Sequence, residues 1–538
     1  MHVAGFRAAA NETPRRNSET PAGPLRKGET MAFDFSRFTD PPLDEEFVLH
    51  LLEDELPLRA LEFQRLWSYY RNDIDGLAVG VANTTEGDWS EVGRPYTQEQ
   101  EWGLPARITG RPVLAAAAAG ASGERLRRKE VVVENDIAWR IDTGVHFLFG
   151  KAPFVESLAA DPARARQIEA ALATVLEANG GVAFLQELAL LGSIYGFVDV
   201  LVRPPEVARL DGRWVCGNPE PADGSSHPGA GDVLEEVNPL EHVRLEPVEA
   251  WRAIPVLDED DCRKVQFYVV HYRKLLNRAR AAGSAARLID WAREAALGLS
   301  PYGQGGREPE STLVTEILGR RWWQVYESGR LAAEGPNLLH EVPLVHVQNL
   351  PLPGLYEGAG DVAPLVPLQD ELNTRLSDRA HRVTFQSFKM YLGRGIENFE
   401  NRPVAPGRMW ATDNPEASIE EFGGDADSPS EEAHIAQLRE ALDKASGITP
   451  LAAGVLRDRL GNLTSAAALR VTLMGTLARI ERKRVTYGEG LARLNRMVLS
   501  LLDRTGIFPN RPDERATRLR WPSPLPENER ESLEQSRL

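Results

Sequence analysis

The chain has 538 residues, 42% hydrophobic and 26% charged, enough for several domains or one large multi-lobed subunit with a real core. No run of about 18 apolar residues occurs, so no membrane-spanning helix is expected. Two cysteines, Cys216 and Cys262, exclude a disulfide framework or a cysteine-rich zinc site and fit a reducing, cytoplasmic compartment. The net charge of −17 lacks the basic excess of a protein that grips DNA by its phosphates. Such a chain suits weak contact or passage better than a clamp, although an acidic balance also simply keeps a protein dispersed.

Residues 1–30 read as a disordered arm. Arg7, Arg15, Arg16, Arg26 and Lys27 stand there without the apolar core of a secretory signal, and Met31 is a candidate start. Pro41–Asn72 is helical in pattern, with Phe47, Leu51, Leu52, Leu58, Leu61, Phe63 and Leu66. Residues 76–103 are a Gly-rich loop. Val131, Val132 and Val133 lead into Ile137, Ile141, Val145 and Leu148, then Gly150 to Pro153. Asp161-Pro162 opens a helix with proline in its first turn and Ile168, Leu172 and Val175 on its face. A second helix follows Gly180-Gly181, with Phe184, Leu185, Leu188 and Leu191. At Gly196 the period changes from 3.6 to 2, which predicts a strand to Val202.

Residues 211–236 read as a surface loop. Strands are predicted around His242–Leu245, Val265–Tyr272, Thr312–Leu318 and Arg321–Glu327, the last before a Ser328-Gly329 turn. Between them Leu275–Leu299 is predicted helical and Ser300–Thr312 a flexible insert. Leu365, Leu368, Leu372 and Leu376 predict a helix from Val362 to about Thr384. Residues 386–432 read as short strands and turns. Asp413–Glu432 holds eight acidic residues and no Lys or Arg. Ile435, Leu438 and Leu442 mark another helix. A loop, Ile448–Leu463, precedes a long helix opening at Thr464 or Ser465, both good N-caps. Its stripe is Leu469, Leu473, Leu477, Ile480, Tyr487, Leu491, Leu494, Val498 and Leu501. Gly488 and Gly490 predict a bend. The stripes on 362–384, 435–442 and 469–501 are expected to exceed what one subunit buries. Pro526–Leu538 is polar and frayed in pattern.

Enzymatic motifs are absent. Gly150-Lys151 lacks the upstream glycine of a P-loop, and no G-x-S-x-G elbow occurs. His340-Glu341 begins like a zinc-protease helix, but Pro343 and Leu344 break the pattern. Gly303–Gly306 reads as linker, and Asp258–Asp261 as an acidic turn between strands rather than a cation site. Of Trp322 and Trp323, strand alternation sends one to the core and one to an interface, ahead of stacking on a ligand. Arg479, Arg482, Lys483 and Arg484 form a basic band, read as a solvated face or one that pairs with a neighbouring subunit.

The order of these elements resembles the portal proteins of tailed bacteriophages and related gene-transfer particles. Gly447, Ile448 and Pro450 at the loop start, and Thr464, Ser465, Ala468, Leu469 and Arg470 at its end, are similar to the family's pattern, one residue looser at the start. Asn135, Ile137, Gly150 and Pro153 resemble an earlier stretch, as does the step Gly192–Val202. Glu341–Asn349 with Gly354 and Gly360 resembles another.

The resemblance implies an α+β portal fold. It implies a mixed wing over 31–361, stem helices at 362–386 and 430–446, and a clip of short strands at 387–429. A tunnel loop at 447–463, a long kinked wing helix at 464–503 and a short crown at 504–538 complete it. It also implies a dodecameric ring at one capsid vertex that passes double-stranded DNA without reading sequence. Expected partners are the terminase large subunit, a head-tail adaptor protein and the major capsid protein. No membrane, enzyme activity, metal or cofactor is implied. Arg457, Asp458, Arg459 and Leu460 would approach the DNA, with an ion pair to the neighbouring copy's loop as the alternative for the arginines. Glu416, Glu420, Glu421, Asp425 and Asp427 would form the clip's docking surface. Two readings from other classes stay open: a nucleic-acid-processing enzyme with a diverged site, and a capsid scaffold or adaptor without a channel.

Overall fold

The computed structural model describes residues 33–72, 132–210, 213–216, 235–275, 311–387, 390–394, 415–422, 429–452, 471 and 473–524. The predicted arm at 1–30, the loop at 76–103, most of the 448–463 loop and the predicted helix Leu275–Leu299 beyond its first residue lie outside them; Leu275 itself ends a strand. Within them the chain is mixed α+β, with several small antiparallel sheets around helical layers.

The chain enters through α1 (Glu45–His50), whose N-cap Asp44 accepts from the Phe47 amide. A π-helical turn, Leu51–Glu55, joins it to α2 (Leu56–Arg71). Then come α3 (Ala138–Phe149), β1 (Phe154–Ser157), α4 (Pro162–Ala178) and α5 (Val182–Tyr195). The Asp161 carboxylate caps α4 on the Ala163 amide. β2 (Phe197–Arg203) starts directly after Gly196, which has φ +91°. A Cβ there would also stand 2.1 Å from the Gly358 carbonyl oxygen, so backbone conformation and close approach both select glycine.

Next are β3 (Ala208–Leu210), β4 (Arg213–Cys216), β5 (Glu235–Glu236), β6 (Arg244–Val248), β7 (Ala253–Leu257) and β8 (Val265–Leu275). They are followed by β9 (Ser311–Leu318), β10 (Trp322–Glu327), β11 (Arg330–Pro336) and β12 (Leu344–Gln348). Strands β11-β10-β9-β8-β7 form a five-stranded sheet and β12-β2-β6 a three-stranded one. Arg203 ties the two together, donating to Glu246 at 2.8 Å on the shorter sheet and to Glu316 at 2.8 Å on the longer. The Tyr268 hydroxyl adds a second tie, to buried Asp199 at 2.9 Å. Trp322 and Trp323 each pack against a different apolar cluster. Both are half-buried against these clusters, on opposite faces of the sheet.

A 3-10 turn, Ala363–Leu365, runs into α6 (Val366–Ser387). β13 (Met390–Arg394) and β14 (Ser418–Phe422) pair antiparallel, α7 (Pro429–Ser446) follows, and α8 (Met474–Arg504) is the longest helix. Leu473, with ψ 4°, breaks the helical conformation between Val471, itself helical, and α8; Thr464 and Ser465, the expected caps, lie outside the described residues. α8 continues through Gly488 and Gly490. A Cβ on Gly490 would come within 2.4 Å of the Val347 side chain, so this glycine lets α8 lie close on β12.

Among the described residues most of the apolar stripe is taken up inside one chain, while Val383, Val471, Met474 and Val485 stay exposed. Ile435, Leu438, Leu442, Ile480, Tyr487, Leu494, Val498 and Leu501 are all buried within a single chain. They share one core with α3, α4, α5 and the three-stranded sheet. Residues beyond α8 fold back onto the body. β15 (Thr517–Arg520) pairs with β1, and Trp521 lies 5.4 Å from Phe149 between ring centroids. Among the described residues no single helix is long and apolar enough to cross a membrane.

Candidate functional site

Helices α6 and α7 pack side by side with the β13–β14 hairpin between them in sequence. Their ion pairs run in opposite senses along the two helices: Glu371 with His434 at 3.5 Å, Arg379 with Glu432 at 3.6 Å, and Arg382 with Glu431. The pair is therefore antiparallel, and the hairpin stands at its far end. The inward side of α6 carries a polar row beside the buried Val366 and Leu372. Gln369, Asn373 and Ser377 are nearly fully buried. Their side chains accept from the backbone amides of Asp136, Glu134 and Val132, at 3.1, 3.1 and 3.0 Å. α6 thus holds an extended segment as a neighbouring strand would, and satisfies its buried donors.

At the other end of α7, Gly447 takes φ +68° and ends the helix with its amide on the Asp443 carbonyl. The Thr476 hydroxyl, in the first turn of α8, donates to the Gly447 carbonyl at 2.8 Å. The two ends of the 448–473 connection are therefore fastened to each other. Beneath them lies a charged cluster. Asp361 receives Arg479 at 2.6 Å and Lys483, and Lys483 also donates to Ser193 at 2.9 Å. Arg140, 1% exposed, bridges Asp136 at 3.1 Å and Asp443 at 2.6 Å. A small cleft lined by Arg140, Gly144, Ser193, Ile448, Thr476 and Lys483 separates the two groups.

Burial alone would push the Asp361 carboxyl up, but Lys483 and Arg479 outweigh it and hold it down to about 2. Burial pulls Lys483 below its ordinary range, and the Asp361 charge opposes this only in part. The arrangement is mutually dependent, because either charge alone in this interior would be strongly disfavoured.

Three of the four residues of the basic band on α8 are therefore taken up inside the chain. Arg479 and Lys483 turn inward to Asp361. Arg484 stacks on Trp521 at 5.3 Å and donates to the Pro522 carbonyl. Only Arg482 of the four is exposed. Periodicity gives part of the signal, since Lys483 falls between the buried Ile480 and Tyr487 on the stripe. Its partner lies 122 residues away, where no local pattern points.

Of the residues expected to matter, Arg457, Asp458, Arg459 and Leu460 lie outside the described residues, as do Asp425 and Asp427. Glu416 is exposed in the turn before β14. Glu420 and Glu421 sit on β14 opposite Leu392 and Tyr391. Asp258 closes its own turn between β7 and β8, bound by Gln266 and Lys264 at 3.1 and 3.0 Å. Among the described residues no group of three or more His, Cys, Asp or Glu could hold a metal ion.

These features define a structural subunit: a layered α+β body, an antiparallel helix pair tipped by a hairpin, and a long helix whose approach is fastened at its root. Residues 234–536 match the family model of the phage portal protein, SPP1 Gp6-like. The match takes in both helices of the pair, the hairpin and α8, and spans more than half of the 538 residues. The chain belongs to this family of phage portal proteins, structural components of the phage head. No curated protein matches it.

Proposed function

We propose that twelve copies close into a ring at one vertex of the capsid, and that double-stranded DNA enters and leaves along its axis. The observation that carries this reading is the family match over 234–536, which includes the helix–hairpin–helix unit and the long helix together. The α6–α7 pair would form the stem around the tunnel, and the connection at 447–463 a collar within it. The β13–β14 hairpin would form the clip. Its acidic residues would meet first the terminase large subunit and later a head-tail adaptor, while the body contacts the major capsid protein.

Physical chemistry supports such a passage. A wall that avoids phosphate neutralisation avoids trapping the duplex, and the chain carries a net charge of −17. The fastened Gly447–Thr476 root lets the intervening loop move without disturbing the helices on either side. Removing several residues from 452–462 tests this. The shortened protein should still assemble and should lose packaging or retention of DNA. Normal packaging by the shortened protein would sink the collar role.

A further inference from the structure

The three-stranded sheet has one long helix on each face. Strand alternation puts Val198 and Val347, which pair across β2 and β12, on one face, and Phe197 and Asp199 on the other. α8 lies on the valine face, as Gly490 against Val347 shows. α2 lies on the opposite face, with Phe63 5.8 Å from Phe197 between ring centroids and Arg59 over the same ring. The outer sides of α2 and α8 therefore point away from each other, towards opposite flanks of the subunit.

Both outer sides carry large exposed apolar groups. On α2 these are Leu58, 72% exposed, and Leu61, 55% exposed; on α8 they are Met474, 65%, and Val485, 62%. The charges around them differ in sign. The exposed residues beside Leu58 and Leu61 include Glu53, Asp54, Glu55 and Glu62 against Arg65. Along α8 the exposed charges are Arg482, Arg493, Arg496 and Arg504 against Glu481 and Glu489. One flank is net acidic and the other net basic, each with an apolar centre.

We propose that the outer face of α2 in one subunit seats on the outer face of α8 in the next copy of this chain. This rests on the ring reading above and names the surfaces that close it. Two α2 faces would repel each other, which excludes an isologous pair. Unlike patches on opposite flanks form a head-to-tail contact, the kind that closes into a ring when the rotation allows. The apolar centres supply contact area and the surrounding charges set partner and register.

The experiment combines cross-linking with charge reversal in the full chain. With Cys216→Ser and Cys262→Ser as background, Leu58→Cys plus Val485→Cys should give a ladder of covalent multimers with a short bis-maleimide. Either cysteine alone should give none. Glu55→Lys/Glu62→Lys, or Arg482→Glu/Arg493→Glu, should raise the concentration for half-assembly by about fivefold or more. All four changes in one chain should restore it. A wild-type ring with no ladder, and no shift in either reversed variant, places the contact elsewhere and overturns the inference while the ring stands. A wild-type protein that never closes a ring removes both. Reversal on α8 that weakens DNA retention with assembly unchanged assigns that face to DNA and overturns the inference as well.

Discussion

Replacing Asp361 by asparagine should loosen the junction between α5, α7 and α8 more than any other isosteric change in the described residues. Asp361 is 6% exposed and serves Arg479, Lys483 and the Asn349 side-chain amide, the last at 3.1 Å. A neutral amide in place of this carboxylate would leave Lys483, whose side chain is 4% exposed, as an uncompensated buried cation. Breaking one side of such a pair costs about 3 kcal/mol or more, equivalent to about a hundredfold in a local opening constant. The Asp361 backbone amide bonds the Ser193 carbonyl at 2.7 Å, so the opening should spread to the end of α5 and the first turns of α8. Hydrogen exchange read by mass spectrometry over peptides 190–196, 360–368 and 474–486 reports it directly. Protection there should fall by about two decades in Asp361→Asn, with distant β8 and β9 unchanged. Lys483→Met should cost less, because Asp361 keeps Arg479 and Asn349. Unchanged protection in Asp361→Asn, or a larger loss in Lys483→Met, would refute the assignment of this cluster as a mutually dependent unit.

A Cβ on Gly192 would stand 2.0 Å from the Tyr487 hydroxyl and 3.2 Å from its ring; Gly192→Ala should therefore cost about 1–3 kcal/mol by overpacking. Adding Tyr487→Phe should recover part of that loss in thermal unfolding, and strict additivity of the two would contradict the close approach. His271 is buried on β8 against the Thr315 hydroxyl at 2.9 Å, and burial lowers its pKa from 6.5 to about 4. The unfolded chain then binds the extra proton first, so stability is full above about pH 6.5 and falls by about 3 kcal/mol as pH drops towards 4. His271→Gln should flatten that limb of the stability profile, and an unaltered limb would show that other groups produce it. Glu420→Lys with Glu421→Lys should leave assembly intact and weaken binding of the terminase large subunit in a salt-dependent way; equal binding across a salt series would remove the electrostatic argument for the clip.

The sequence showed most clearly what is local. Asp161-Pro162 announced the start of α4, and Gly196 marked the helix-to-strand switch, because capping and positive φ select residue types directly. Strands β6, β8, β9 and β10 were visible as alternation bounded by turn residues, whereas β7 was not singled out. What escaped was set by partners far along the chain. Lys483 and Arg479 looked like surface charge, since nothing within a helical turn reveals Asp361. The close approach of Gly490 to Val347 was not legible either, because it leaves no mark in α8 itself. Much of the apolar stripes looked like surplus, because one chain's sheet and four other helices had to be placed before their burial could be assigned. Within the candidate site, the acidic stretch around β14 was legible as composition and the charged cluster beneath Gly447 and Thr476 was not.

The most direct test of the whole account is the mass and outline of the purified full-length protein under native conditions. Native mass spectrometry, with negative-stain images of the same sample, should show a closed ring with an axial hole. Its mass should be that of twelve chains of 59.5 kDa, about 714 kDa. A species that stays monomeric at micromolar concentration in both low and moderate salt would contradict the ring, and with it the passage of DNA through this protein.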